Sequence, residues 1–193
     1  MIDYIKGTIT RITPAFLTIE ASGLGYFINI SLTSYSKLEG KSEYKLLVHE
    51  VIREDSHQLF GFADKEEREI FRLLISVTGV GASMARMMLS SLNPAEIEKA
   101  IIESEVNSLK SIKGIGLKTA QRIIVDLKDK LGKYAVTGEI FAFSGNTKRE
   151  EALSALVMLG FAKGAVIKVL DTILQENKNL TVEDLIKRAL KNL

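Results

Sequence analysis

Between residues 1 and 62 apolar and polar positions alternate with a period close to two, β-branched and aromatic side chains are frequent, and breaks fall at Gly or polar clusters. This spacing predicts strands over residues 2–12, 16–21, 25–31, 44–52 and 58–62. Gly23 and Gly25 mark a tight link between the second and third, and residues 33–42 read as a loop with room for a helical turn. Five short antiparallel strands in so few residues leave two bare edges if the sheet stays open, so a small closed barrel is the economical solution. An oligonucleotide-binding (OB) barrel and an SH3-like barrel both fit. The five-strand count and the long third-to-fourth connection favour the OB type.

At Asp64 the period changes to 3.6. Helices are predicted over 63–77, 82–90, 94–104, 106–112 and 117–131, with Asp64 capping the first and Glu66 and Glu67 in its first turn. Pro94 follows Asn93, the order expected of a cap and a first-turn proline. Residues 132–147, with Gly132, Gly138, Ser144, Gly145 and Asn146, carry no sustained period and read as a flexible linker on which Phe141 and Phe143 could dock against a neighbour. The helical period returns over 149–159, 163–176 and 182–193. Three helices make a bundle near the lower size limit for independent stability, which suits a docking role. The expected domains are therefore 1–62, 63–131 and 148–193, joined by the linker 132–147.

Composition narrows the class without deciding it. The chain has 193 residues, 46% hydrophobic and 26% charged, and a net charge of +2, too weak to imply a polyanionic partner by itself. Distribution says more: residues 110–130 hold Lys110, Lys113, Lys118, Arg122, Lys128 and Lys130 against Asp126 and Asp129. With no Cys and only His49 and His57, disulfides are excluded and no Cys/His metal site can be assembled, so neither metal nor cofactor is expected. Asp3 and Lys6 interrupt any signal-peptide core, and no stretch approaches the roughly 18 apolar residues of a membrane span. A cytoplasmic protein without membrane contact is the expectation.

The middle region contains an internal repeat. Leu74, Val77, Gly79, Val80, Gly81, Ala85 and Leu89 recur 35 residues later as Leu109, Ile112, Gly114, Ile115, Gly116, Ala120 and Ile124. Each copy reads helix, Gly-apolar-Gly, helix. The first Gly permits a positive-φ turn, the apolar residue tucks under the hairpin, and the second Gly leaves the first N–H groups of the next helix uncovered. A phosphate oxygen can approach those amides and the positive end of the helix dipole without any base being read. Ala85 and Ala120 are small where the paired helices cross closely. Gly79, Val80, Gly81, Ser83 and Arg86 of the first copy, and Gly114, Ile115, Gly116, Lys118 and Arg122 of the second, are the candidate DNA-backbone contacts, Lys113 adding charge. The second copy, richer in cations, is expected to bind more tightly. The run Gly114-Ile115-Gly116-Leu117-Lys118-Thr119 lacks the four-residue spacer and preceding strand of a nucleotide-binding phosphate loop, so an ATPase is not indicated.

These segments resemble the RuvA family of bacterial Holliday-junction branch-migration proteins. The resemblance rests on residues 1–7 (Met-Ile-Asp-Tyr-Ile-Lys-Gly), Gly23-Leu24-Gly25-Tyr26, the run 51–62 centred on Arg53-Glu54-Asp55, both hairpins, and Leu156-Val157-Met158-Leu159-Gly160-Phe161. It implies a multidomain α+β chain: an N-terminal OB-fold barrel, a central tandem helix-hairpin-helix domain, and a C-terminal three-helix, UBA-like bundle. It further implies a homotetramer, alone or as two stacked tetramers, that holds a four-way DNA junction independently of sequence. Its third domain would contact a RuvB-type hexameric AAA+ ATPase through Leu159, Gly160 and Phe161, and a resolvase would associate with the complex.

By the same resemblance Glu54 and Asp55 form an acidic pin. At the centre of a four-fold assembly their charge would repel phosphates and hold exchanging strands apart. Two departures stand out: Ala82-Ser83 replaces the family's common Pro-Lys, and Leu117-Lys118 its paired Lys, so DNA affinity or its salt dependence is expected to be lower. The reading is a non-catalytic subunit, without catalytic residues of its own, that recognises junctions, holds them open and square, and recruits the motor in recombination and repair. The alternatives are a structure-specific nuclease subunit, which needs clustered acidic metal ligands, and a general DNA-binding scaffold.

Overall fold

The alternating segment forms five strands, β1 (Tyr4–Ile12), β2 (Phe16–Ala21), β3 (Leu24–Ile30), β4 (Glu43–Ile52) and β5 (His57–Phe62), closed into a barrel in the order β1-β2-β3-β5-β4. The computed structural model describes residues 1–137, 148–177 and 180–193. Neighbouring strands are antiparallel except β3 and β5, which close the barrel in parallel at Asn29 opposite Phe60 and Ile30 opposite Gly61. This is the OB arrangement. Ile5, Leu17, Ile19, Ile28, Ile30, Leu46 and Val48 fill the interior. Ser22 and Gly23 link β2 to β3 with φ of 51° and 79° between the paired Ala21 and Leu24, the two positive angles of a type I′ hairpin.

Residues 33–42, read as a loop with room for a helical turn, begin with most of a seven-residue helix, α1 (Leu32–Leu38). Its Thr-Ser-Tyr-Ser sequence reads as turn chemistry, and bonds to distant residues hold it. The Ser31 hydroxyl caps the Ser34 N–H at 3.0 Å, Thr33 donates to the Leu89 carbonyl at 2.6 Å, and Ser34 donates to the Glu67 carboxylate at 2.6 Å.

Five helices follow: α2 (Lys65–Ile75), α3 (Ala82–Ser91), α4 (Pro94–Ile102), α5 (Val106–Lys110) and α6 (Leu117–Thr137). Asp64 caps α2 through the Glu67 N–H at 2.9 Å, and Asn93 and Glu96 form a reciprocal capping box on α4. The first 62 residues do not stand apart from these helices. β5 is buried on both faces: Leu59 and Gly61 face the barrel interior, while Phe60 and Phe62 lie 5.2 and 4.9 Å from the ring of Phe71 on α2. One continuous core thus runs from β5 through α2 to α6. Helix α6 passes Leu131 into the segment read as linker, since one interior Gly132 costs about 1 kcal/mol and the next residues are compatible with helix. Phe141 and Phe143 lie outside the described residues.

The chain divides into two compact units, one on each side of residues 138–147. The second consists of α7 (Lys148–Met158), α8 (Lys163–Glu176) and α9 (Val182–Asn192) around Ala152, Leu156, Val166, Leu170, Ile173, Leu180, Leu185 and Ala189. Arg149 and Asp171 pair at 2.7 Å across α7 and α8.

Candidate nucleic-acid interface

The two hairpins repeat one another bond for bond. Val80 N–H donates to the Val77 carbonyl at 3.0 Å and Ile115 N–H to Ile112 at 3.1 Å; Ala85 N–H donates to Gly81 at 2.9 Å and Ala120 N–H to Gly116 at 3.0 Å. Gly79 and Gly114 turn the chain at φ of 92° and 89°, conformations that side chains with a Cβ resist. Val80 and Ile115 are buried beneath, each 5% exposed, and Ala85 and Ala120 are fully buried in the core. Gly81 and Gly116 differ in kind. Gly81 has φ of −87°, which any residue adopts, and a Cβ built on either glycine would meet nothing within 4 Å. Nothing inside the chain therefore requires glycine there, whereas a ligand resting on the helix start would. Helix α3 begins at Gly81 with no side-chain cap, so its first amides are open to such a ligand.

The cations expected around these turns divide into two groups. Lys113 and Lys118 are exposed, with no ion-pair partner among the described residues, and Ser83 is exposed in the first turn of α3. Arg86 also has partners within the chain. One of its guanidinium nitrogens donates to the Ala15 carbonyl at 2.9 Å and to Asn29 Oδ1 at 3.0 Å, fastening α3 to the barrel. Arg122, expected to serve the second hairpin, also reaches the first: it donates to the Thr78 carbonyl at 3.4 Å, so one guanidinium links α6 to the turn at Gly79. Neither tie had a sequence signal, because each partner is a backbone carbonyl or an amide far along the chain.

Glu54 and Asp55 occupy the exposed tip of the β4–β5 hairpin, where Arg53 N–H donates to the Ser56 carbonyl at 2.8 Å. The base of that hairpin is braced by Glu50, whose carboxylate contacts His57 Nε2 at 2.7 Å and accepts from the Ile2 N–H at 3.2 Å. The His57 contact, helped by the Ile2 amide, holds the Glu50 carboxyl below its ordinary range. Among the described residues no three acidic or imidazole groups converge on a metal position.

In the second unit α7 ends in a Schellman motif: Phe161 N–H donates to Leu156 at 3.2 Å and Gly160 N–H to Val157 at 3.0 Å, with Gly160 at φ of 99°. Of the three residues proposed for partner contact, Leu159 is 62% exposed, Gly160 makes the turn, and Phe161 packs partly into the bundle core. The fully presented apolar neighbour is Met158, 88% exposed and not singled out by sequence, where it reads as one more core position.

Comparison with known proteins agrees with this layout. Residues 1–61 match the RuvA N terminal domain, 71–129 the SAM-like helix-hairpin-helix tandem, and 147–193 the RuvA C-terminal domain. A Holliday junction branch migration complex subunit RuvA from Christiangramia forsetii is 51% identical over 193 residues, covering the whole of both chains. Proteins of the same name from Bacteroides fragilis, 51% identical over 201 residues, and Flavobacterium psychrophilum, 48% over 193, are likewise matched along their full lengths. With its barrel, paired hairpins and terminal bundle all matched in order, the chain belongs to the RuvA family.

Proposed function

We propose that this protein is the junction-recognising subunit of a branch-migration complex: it grips duplex arms of a Holliday junction by their phosphates and supplies the platform on which a RuvB-type motor works. The observation that carries this reading is the pair of hairpins with matching backbone hydrogen bonds, whose second glycines have no role in the chain's own packing. Backbone amides at helix starts bind phosphate without reading bases, which a junction of arbitrary sequence requires. Lys113, Lys118 and Arg122 add the salt-dependent term. Four copies about a four-fold axis would bring the Glu54-Asp55 tips together at the crossover, where like charge keeps phosphates apart and the arms square. Leu159, Gly160 and Phe161, on the turn after α7, together with Met158 at the end of that helix, are the contact for the motor, and a resolvase joins the same assembly. The subunit itself transfers no group, and its place is the cytoplasm with the DNA.

The test is equilibrium binding, without nucleotide, to a four-way junction and a matched linear duplex over a salt series, alongside the Glu54→Ala/Asp55→Ala variant. The expected result is strong junction preference, affinity falling with salt by about 0.9 log unit per log unit for each phosphate neutralised, and a variant more tolerant of linear duplex. Equal binding to both DNAs would overturn the junction assignment in favour of a general scaffold. Magnesium-dependent cleavage of the junction would replace it with a nuclease.

A further inference from the structure

Asn29 lies near the end of β3, half-buried on the outer side of the barrel between the inward-facing Ile28 and Ile30. Asparagine is a poor strand former, and its carboxamide is used at both ends. Oδ1 accepts from an Arg86 guanidinium nitrogen at 3.0 Å, and the same nitrogen donates to the Ala15 carbonyl at 2.9 Å. Nδ2 donates to the Leu59 carbonyl at 3.2 Å. Making both bonds takes an acceptor and a donor on one short, rigid group: an aspartate keeps the arginine but offers no proton to Leu59, and an alanine offers neither.

These bonds cross the shortest seam of the barrel. Strands β3 and β5 are in register only at Asn29 with Phe60 and Ile30 with Gly61, whereas β4 and β5 pair all the way from Leu47 opposite Phe62 to Ile52 opposite His57. Leu59 is two residues along β5 from His57, which closes the ladder below the Glu54-Asp55 tip and contacts Glu50 at 2.7 Å. On the other side Arg86 belongs to α3, the helix that starts at Gly81 in the first hairpin. The path from the phosphate-gripping turn to the acidic tip thus runs through one helix, one carboxamide and one short stretch of strand.

We propose that Asn29 is a positioning residue for junction recognition: it locks the strand that bears the acidic tip to the helix of the first hairpin, and so fixes where the tip stands relative to the duplex arms. Repulsion between carboxylates and phosphates in water is screened over about 8–10 Å at moderate salt. A tip that shifts against the hairpins by even part of that length discriminates less sharply between a junction and a continuous duplex. Asn29 touches no DNA in this role; it acts through Glu54 and Asp55, and the inference rests on the part assigned to them above.

The test uses the full-length protein carrying Asn29→Asp or Asn29→Ala, each alone and combined with Glu54→Ala/Asp55→Ala. Affinities for a four-way junction and a matched linear duplex are measured over a salt series, with melting curves alongside. Both substitutions are expected to lower the junction-to-duplex affinity ratio roughly two- to tenfold, the worth of one intramolecular hydrogen bond. The salt slope should stay unchanged because no phosphate contact is lost, and neither substitution should lower the ratio further once the acidic tip is removed. Asn29→Asp keeps an acceptor for Arg86, so it isolates the Leu59 bond and decides the matter even if Asn29→Ala folds poorly. The parent ratio in Asn29→Asp overturns the inference. An equal fall in the background without the tip also overturns it, since Asn29 would then support the barrel or meet DNA by itself. If Glu54→Ala/Asp55→Ala alone keeps the parent ratio, the reading of the tip fails, and this inference falls with it whatever the Asn29 variants do.

Discussion

Gly79 and Gly81 are two residues apart yet glycine for opposite reasons. At Gly79 the backbone itself demands it, because a φ of 92° costs a residue with a Cβ about 1–2 kcal/mol. At Gly81 the backbone is ordinary and the space above it open. Gly79→Ala should therefore lower stability by about that amount in denaturant melts, whereas Gly81→Ala should cost about 0.5 kcal/mol and appear chiefly as weaker junction binding. Equal losses of binding per unit of lost stability in the two variants would contradict the distinction. Glu67 poses a different question. It is fully buried, accepts hydrogen bonds from Ser31 and Ser34, and burial outweighs those bonds and raises its pKa above the ordinary 4.5. A carboxyl whose folded pKa is raised contributes stability that is present below its unfolded pKa and lost as pH rises through the folded one. Glu67→Gln, which keeps partners for the serines, should thus remove that part of the pH dependence and be at least as stable as the parent at pH 7. Glu67→Ala, leaving two buried hydroxyls without their acceptor, should destabilise by about 2–4 kcal/mol at every pH. Melting curves between pH 4 and 8 separate the three proteins.

Among the elements, α3 and α6 carry cations with different duties. Arg86 ties α3 to the barrel, and Lys118, on the first turn of α6, is exposed with no ion-pair partner among the described residues. Arg86→Ala should cost about 1.5–3 kcal/mol of stability, as loss of hydrogen bonds from a charged donor does, while the slope of log affinity against log salt stays put. Lys118→Ala should do the opposite, reducing that slope by about 0.9 with stability unchanged. A lowered slope in the Arg86 variant would place that residue back among the phosphate contacts. Helix α1 shows the same dependence on distant partners from another side: its serines and threonine bond to α2 and α3, and without them the segment is a plausible turn.

At the scale of the whole chain, the barrel and the hairpin helices share one core. Phe71, fully buried on α2, touches Phe60 and Phe62 of β5 and meets His49 of β4 at 5.5 Å, edge to face. Burial, with Arg72 and Arg68 nearby, lowers the His49 pKa. Phe71→Ala should cost about 3–5 kcal/mol. Because the core is continuous, the strand and helix signals of residues 1–131 should be lost in one transition in both parent and variant. Two separated transitions would mean that the barrel and the helices are independent after all.

Much of this was legible in the sequence because it is local. The strand period, the Asp64 and Asn93 caps, the glycine spelling of both hairpins and the acidic turn at Glu54-Asp55 are set by backbone preferences over a few residues. What a side chain does across the molecule is set by where the fold brings its partner. The second buried face of β5 exists because α2 lies on it, Arg86 and Arg122 find carbonyl partners 71 and 44 residues away, and Phe16, Phe27 and Arg11 meet only because three strands are in register. Propensity acts between neighbours in sequence; hydrogen bonds and burial act between neighbours in space, and only the tertiary structure supplies those.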